Sequence, residues 1–151
     1  MPASTSAPEG AARDRTEPPS ELCQVPPRLR QAFSSAARET GVPLSLLIAV
    51  AHEESRLKPD ARSAAGARGV LQLMPATARE LGVNPDLPKS NIRGGARYLE
   101  QMTERFGRLD LVLAAYNMGP TALEAGGGQI SPSTQTYIGN IRARAARTSC
   151  R

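Results

Sequence analysis

The chain has 151 residues, of which 40% are hydrophobic and 3% aromatic, and it carries a formal net charge of +5 with a pI of about 9.9. This length suits one domain around a single core. No run of about 18 apolar residues is present, which excludes a membrane-spanning helix. The few aromatic residues do not alternate with a Lys/Arg cluster, which argues against a nucleic-acid stacking surface. The positive charge favours an anionic partner without choosing one.

Residues 1–22 are rich in Pro, Ala, Ser and charged residues and contain almost nothing to bury. This composition predicts a disordered tail and leaves 23–150 as the folded domain. The first twenty residues also lack a basic segment followed by an apolar one, so no signal peptide is expected in this chain. Export would then need a signal missing from this chain, or another route.

Prolines and glycines divide the folded part into apolar segments with a helical period. We predict helices over about 26–40, 43–55, 75–81, 90–106, 108–117 and 131–147. Ser90 is the expected N-cap of the fourth helix. The stretch 56–69 is predicted to be a loop, 70–74 is an apolar run of undecided type, and 123–129 is expected to be a flexible connection. The fold class is therefore mainly α, with room for one small hairpin near 63–73.

Two adjacent glutamates end the second helix. At about 100° per residue, Glu54 falls within the apolar arc that contains Leu47 and Val50, whereas Glu53 falls at its edge, toward His52. Burial raises the pKa of a carboxyl group, and a glutamic acid that is protonated near neutral pH can act as a general acid. We therefore predict that Glu54 is the desolvated acid, with a buried salt bridge to an arginine as the alternative. Glu53 and His52 are predicted to be surface residues.

The two cysteines, Cys23 and Cys150, stand near opposite ends of the predicted domain. A disulfide between them would close a long loop and stabilise the fold by about 4–5 kcal/mol in the entropic treatment. The alternative is that they are two unrelated thiols. Two cysteines and one scattered histidine do not fit a zinc site, so no metal is expected.

Three blocks carry a family resemblance: "EESRLKPDARSAAGARGVLQLMPATARELG", "NIRGGARYLEQM" and "AAYNMGP". In this order and spacing they resemble the soluble lytic transglycosylase domain of the lysozyme-like superfamily. The resemblance covers roughly residues 40–140. It implies a goose-type lysozyme-like fold and identifies 23–150 as a lytic transglycosylase catalytic domain.

The resemblance also implies site residues. Glu54, the residue that the helical wheel selects, matches the catalytic glutamate, and Ser55 matches a serine that positions it. Gly66 and Gly69 match glycines at which the backbone passes near the ligand. The residues that match substrate-binding positions are Ser63, Gln72, Met74, Tyr116, Asn117 and Tyr137.

Three positions depart from the family pattern. Leu71 stands where a methionine is usual, which is a near-isosteric change. Met118 replaces a common alanine and is expected to narrow the groove. Ser133 replaces a glutamate in the last block, where Tyr137 is retained, which puts in doubt any role of that glutamate in holding the last helix or touching substrate.

The resemblance implies a mechanism with one carboxyl group and no metal or cofactor. Glu54 protonates the oxygen that links N-acetylmuramic acid to N-acetylglucosamine, and the ionised carboxylate then accepts the proton of the C6 hydroxyl, giving a 1,6-anhydro end. The expected partner is peptidoglycan, not nucleic acid, and the protein is expected to be a monomer. The expected location is extracytoplasmic, in the periplasm or cell wall, with a phage or virion origin left open.

Three alternatives remain at this stage. A muramidase of the goose-lysozyme type would use water in place of the C6 hydroxyl. A non-catalytic glycan-binding or secretion-assembly module would retain the fold without the chemistry. A helical nucleic-acid-binding protein is suggested by charge alone.

Overall fold

The computed structural model describes residues 20–147. A short 3-10 turn at Ser20–Leu22 precedes the helices of the described chain. These are α1 (Pro27–Thr40), α2 (Leu44–Ser55), α3 (Pro75–Leu81), α4 (Pro88–Phe106), α5 (Leu109–Met118), α6 (Pro120–Ala125) and α7 (Pro132–Ala145). In this part of the chain no helix combines the length and apolarity needed to cross a membrane.

Proline and glycine set the helix boundaries, as the sequence predicts. Five of the seven described helices begin at a proline, where the missing N–H costs no intrahelical bond: Pro27, Pro75, Pro88, Pro120 and Pro132. Gly41 and Gly82 end α1 and α3 in the left-handed conformation, with φ of 74° and 67°.

Helix α2 lies at the centre of the fold. Leu47, Ala49, Val50 and Ala51 are completely buried, and α2 packs against α1, α7 and the 3-10 turn. A helix that is apolar on nearly all sides belongs in a core. Its C-terminal turn therefore carries the two glutamates from the core toward the loop that follows.

The segment after α2 folds as a series of turns. The expected hairpin near 63–73 is reduced to two isolated antiparallel bridges, Arg62 with Arg68 and Arg68 with Leu73. The apolar run 70–74 is neither a strand nor a helix, although Val70 and Leu71 are completely buried. These side chains fix the loop against the core while its backbone turns.

Two boundary predictions are wrong. Helix α4 begins at Pro88 rather than at a Ser90 cap, and the Ser90 hydroxyl instead accepts a hydrogen bond from the Asn84 N–H at 2.9 Å. The stretch 123–129, expected to be flexible, contains the end of α6. Leu123 is completely buried there and anchors this helix, which ends at the three glycines 126–128.

The N-terminal boundary is also earlier than predicted. Ser20–Leu22, which we assigned to the tail, form the 3-10 turn, and the Leu22 side chain is only 2% exposed. The rest of the predicted tail and Cys150 lie outside the described residues.

Candidate active site

The carboxyl group of Glu54 lies half-buried at the end of α2. The Tyr137 hydroxyl, from α7, donates a hydrogen bond to Glu54 Oε1 at 2.5 Å. Burial raises the pKa of Glu54 to about 7; the Tyr137 bond lowers it and the charge of Glu53 raises it. The predicted rise in this pKa is confirmed. No salt bridge forms at Glu54 among residues 20–147, so the arginine alternative is not observed.

A second tyrosine stands near this carboxyl group. The Tyr116 hydroxyl, from α5, donates to the Leu71 carbonyl at 2.6 Å, and its ring packs on Tyr98 with centroids 5.3 Å apart. Burial raises the pKa of Tyr116 well above its usual value, and the charge of Glu54 raises it further. Two helices thus supply neutral hydroxyl groups near one carboxyl group that is about half protonated at neutral pH.

Ser55 ties the end of α2 to the following loop. Its side chain is 8% exposed, and its hydroxyl donates to the Val70 carbonyl at 2.7 Å and to the Ala51 carbonyl at 3.1 Å. The hydroxyl therefore does not bond to Glu54 directly. It fixes the backbone on which Glu54 is held relative to the loop 68–73.

Gln72 uses part of its amide inside the protein. Its Nε2 donates to the Ala61 and Gly69 carbonyls at 3.1 and 2.9 Å, and its backbone has a φ of 49°. We expected this amide to bind sugar. The nitrogen instead closes the loop, and only Oε1, to which no residue of 20–147 donates, is left for a ligand.

Three other predicted binding residues make no hydrogen bond to Glu54 within the described chain. The Ser63 hydroxyl accepts from the Ala67 N–H at 2.9 Å on the exposed loop. The Met74 side chain is 41% exposed just before α3. Asn117 is exposed at the end of α5, and its Oδ1 accepts from the Thr134 hydroxyl at 2.7 Å, which links α5 to α7.

Asn91 is a site-forming residue that sequence reasoning missed. This buried side chain accepts from the Leu71 N–H at 2.8 Å and donates to the Arg68 and Pro85 carbonyls at 2.8 and 3.0 Å. A Cβ on Gly69, whose φ is +78°, would collide with the Asn91 amide. The available signal was a lone amide among the apolar positions of the "NIRGGARYL" helix.

The glycine pair of α4, Gly94 and Gly95, accommodates side chains of the neighbouring loops. A Cβ on Gly95 would collide with Leu71. A Cβ on Gly94 would come within 2.7 Å of Val83 and 2.9 Å of Leu73. Leu71, the first departure from the family pattern, is completely buried at this contact.

Within residues 20–147, neither of the other two departures makes a side-chain hydrogen bond to Glu54. Met118 is half-buried and packs against the core. Ser133 is exposed, with its hydroxyl 3.3 Å from that of Ser131. Helix α7 is held without a glutamate at 133, because Ser131 caps it by accepting from the Thr134 N–H at 3.3 Å and the Thr134 hydroxyl bonds to α5.

Glu53 faces a different environment. Its Oε1 accepts from the Asn140 amide of α7 at 3.0 Å, and it lines a cavity of about 590 Å³ that Glu54 does not line. His52 lines the same cavity. His52, predicted to be a surface residue, is partly exposed, and burial, followed by the charges of Arg144 and Arg56, lowers its pKa.

Comparison with known proteins assigns the family. The family model of the Transglycosylase SLT domain matches residues 31–135, so the chain belongs to this family. Membrane-bound lytic murein transglycosylase F 2 from Alkalilimnicola ehrlichii is 45% identical over 101 residues, which are 62% of this chain and 22% of that protein.

Solved structures confirm the mainly α, lysozyme-like fold. An inactive glutamate-to-glutamine mutant of the lytic transglycosylase Slt from Pseudomonas aeruginosa matches with a TM-score of 0.69 and 29% identity, over 79% of this chain and 23% of that one. The 70-kDa soluble lytic transglycosylase from Escherichia coli matches with a TM-score of 0.66 and 28% identity, over 78% of this chain and 23% of that one. The chain thus spans less than a quarter of the length of these relatives.

Proposed function

We propose that this chain is the catalytic domain of a peptidoglycan lytic transglycosylase. It cleaves the β-1,4 bond between N-acetylmuramic acid and N-acetylglucosamine and leaves a 1,6-anhydro end. The observation that carries this proposal is the Glu54 carboxyl group, half-buried with a pKa of about 7 and held by the Tyr137 hydroxyl. Family membership and the names of the similar proteins support the substrate class.

In the first step Glu54 acts as a general acid. A substantial fraction of its carboxyl groups is protonated at neutral pH, because the apolar surroundings disfavour the charged form. The proton moves to the bridging oxygen as the bond from that oxygen to C1 of the muramic acid breaks. The N-acetyl group of the same sugar stabilises the positive charge that develops at C1.

In the second step the Glu54 carboxylate acts as a base. It accepts the proton of the C6 hydroxyl, whose oxygen forms the new bond to C1, and the acid is restored. One carboxyl group suffices because the substrate supplies the nucleophile, whereas most glycosidases use a pair. Two other carboxylates are otherwise engaged: Asp86 pairs with Arg62 and Arg68, and Glu53 accepts from Asn140.

The loop after α2 and the ends of α3 and α5 supply the proposed sugar contacts. Gln72 Oε1 accepts from a sugar hydroxyl or amide, and Met74 offers an exposed apolar surface. Ser63 and Asn117, both exposed, hydrogen-bond to sugar polar groups. Tyr116, whose hydroxyl is engaged with Leu71, contributes its ring edge.

Mass spectrometry of digested peptidoglycan tests this function. The expected product is a muropeptide that is lighter by one water than the corresponding reducing-end product. The Glu54→Gln variant is the control and should release neither. Reducing ends from the wild-type protein would assign a muramidase instead, and no release from intact or sonicated peptidoglycan would refute catalysis.

A Cys23–Cys150 disulfide remains part of the proposal. Glu21 and Gln24, which flank Cys23, and Arg147, three residues before Cys150, line one cavity. Residues on both sides of Cys23 and the last described residue, Arg147, therefore lie at one cavity. Mass spectrometry under non-reducing conditions should find one peptide pair joined through these residues, and quantitative thiol labelling of the unfolded, unreduced protein would exclude it.

We also propose that the domain acts outside the cytoplasm, as a monomer. The location follows from the proposed substrate and from the disulfide, which persists in oxidising compartments. Sedimentation of the purified chain should give a single species near 16.0 kDa. A phage or virion origin stays a prediction from sequence.

A further inference from the structure

The cavity beside Glu53 is a separate feature from the Glu54 site. It has a volume of about 590 Å³ and lies between the 3-10 turn, α2 and α7. This volume falls in the range of pockets that hold small molecules. Glu53 and Glu54 are adjacent along α2, but the Glu54 carboxyl group does not line the cavity.

Three arginines give the cavity its positive side. Arg56 caps the C-terminus of α2, Arg144 comes from the last turn of α7, and Arg147 comes from the turn that follows α7. Within residues 20–147 none of them forms a salt bridge. Five ion pairs elsewhere in the same range use other arginines, so these three guanidinium groups remain available to an external anion.

Arg144 carries the sharpest signal. Its Nε is buried and has no hydrogen-bond partner among the described residues. An unsatisfied buried donor costs about 1–3 kcal/mol, and more when the group is charged. Arg144 also lines the cavity, where an arginine fork can bind a carboxylate through two parallel hydrogen bonds.

The remaining lining adds the features of a peptide site. Glu21 and Glu53 add two carboxylates to the lining, and the Gln24 side chain offers an amide. Ile48 and Ala143 give apolar contacts. A ligand with carboxylates alone would meet two acidic groups, whereas a short peptide with carboxylate and ammonium groups matches both signs.

We propose that this cavity binds a short peptide that carries both carboxylate and ammonium groups, with Arg144 holding one of its carboxylates. The natural source of such a peptide is the peptide portion of peptidoglycan, and that source, though not the binding itself, rests on the proposed function. The cavity then recognises the peptide while Glu54 acts on the glycan.

A nuclear magnetic resonance titration of the full chain tests the proposal. The chain has one histidine, His52, and it lines the cavity, so its ring signal reports on binding there. The probe is the peptide Ala-Glu-Lys with free carboxylates. We expect a saturable shift of the His52 signal, and at least tenfold weaker binding of the same peptide with its carboxylates amidated.

Matched variants on one helix assign the contact. Arg144→Gln should weaken the affinity for the free peptide by about tenfold or more, the range for a hydrogen-bonded charged group. Arg142→Gln, two residues away, exposed and outside the cavity, should leave it unchanged. If Arg144→Gln does not fold, the exposed Arg147→Gln variant decides, with a loss of about threefold or more.

Four results would overturn the proposal: no saturable shift, equal affinity of free and amidated peptide, equal affinity of the folded arginine variant and the wild type, or displacement of the peptide by an equal concentration of inorganic phosphate. The last result would indicate a general anion site. Failure of the proposed function is distinguishable, because Glu54→Gln should abolish glycan cleavage yet keep peptide affinity, while Arg144→Gln should still cleave glycan stripped of peptide.

Discussion

Glu53 and Glu54 are consecutive residues of α2, and they face two different environments. Glu54 accepts from the Tyr137 hydroxyl and is desolvated enough for its pKa to reach about 7. Glu53 accepts from the Asn140 amide and lines a cavity that also contains three arginines. The rotation of about 100° per residue is sufficient to separate the proposed acid catalyst from the proposed binding cavity.

This comparison shows how one central helix serves two faces. Helix α7 contacts both glutamates of α2. Tyr137 donates a hydrogen bond to Glu54, and Asn140, three residues later, donates one to Glu53. Both bonds depend on the same helix packing. The two environments differ in the other residues that surround each glutamate. The tyrosines and the loop 68–73 lie on the Glu54 face, and the arginines lie on the Glu53 face.

The largest expected effect tests the assignment of the acid. Glu54→Gln should lower the rate of glycan cleavage by about 10³-fold or more, because it removes the only proton donor proposed for the leaving oxygen. Glu53→Gln, its matched control, should keep most activity. Release of soluble muropeptides, measured by liquid chromatography, checks both. The assignment is reversed if Glu53→Gln loses activity and Glu54→Gln retains it.

The next effect concerns the loop on the Glu54 face. Asn91→Ala should lower the free energy of unfolding by about 2–4 kcal/mol, because one buried and two partly buried backbone groups lose their partner. Asn140→Ala removes one exposed bond to Glu53 and should cost less than about 1 kcal/mol. Urea unfolding followed by circular dichroism measures both. Equal costs would show that Asn91 does not hold the loop.

The outcomes at Glu54, Asn91 and Gln72 show how much of the site could be predicted from the sequence. The wheel separated Glu54 from Glu53 because burial along a helix follows a fixed angle. The structural roles of Asn91 and Gln72 were not predicted, because both side chains donate to backbone carbonyls in turns. Those turns depend on φ values of +78° at Gly69 and 49° at Gln72, which no local sequence pattern specifies. A ligand role was expected for Gln72, and its Nε2 has a structural one.

The fold was likewise predictable where local residues determine it and unpredictable where distant packing does. Proline and glycine act locally, so they predicted most helix boundaries. Helix α6 was missed because three glycines dominate the stretch 123–129, while burial of Leu123 depends on distant packing. The arginine cavity was not predicted, since Arg56 and Arg144 are 88 positions apart and only the packing of α2 on α7 brings them together.

The third prediction uses pH to compare the two glutamates. The pKa of Glu54 is raised from 4.5 to about 7 in the folded state, so the folded protein binds more protons than the unfolded chain between these values. Stability from this group is complete below about pH 4.5 and is lost as pH rises through about 7. The loss should reach up to about 3 kcal/mol.

Thermal unfolding of variants between pH 4.5 and 8 measures this dependence. Glu54→Gln should remove most of the decline, because glutamine does not titrate. Glu53→Gln should reduce the loss of stability only slightly, since burial is the largest cause of the raised Glu54 pKa and the Glu53 charge is a smaller one. A decline of the same size in Glu54→Gln would contradict the assignment of the buried acid.

The smallest expected effect isolates the hydrogen bond that distinguishes Glu54. Tyr137→Phe removes the hydroxyl that donates to Glu54 Oε1 and lowers its pKa, so this pKa should rise further above 7. Activity that needs the protonated acid falls as pH increases through this pKa, so the alkaline limb of the rate profile should move to higher pH. The maximal rate should fall by about tenfold, because the carboxyl group is less well oriented. Tyr116→Phe, which frees the Leu71 carbonyl, is the control and should leave the limb in place. A limb that stays fixed in Tyr137→Phe would mean that the observed bond does not set the acidity of the catalyst.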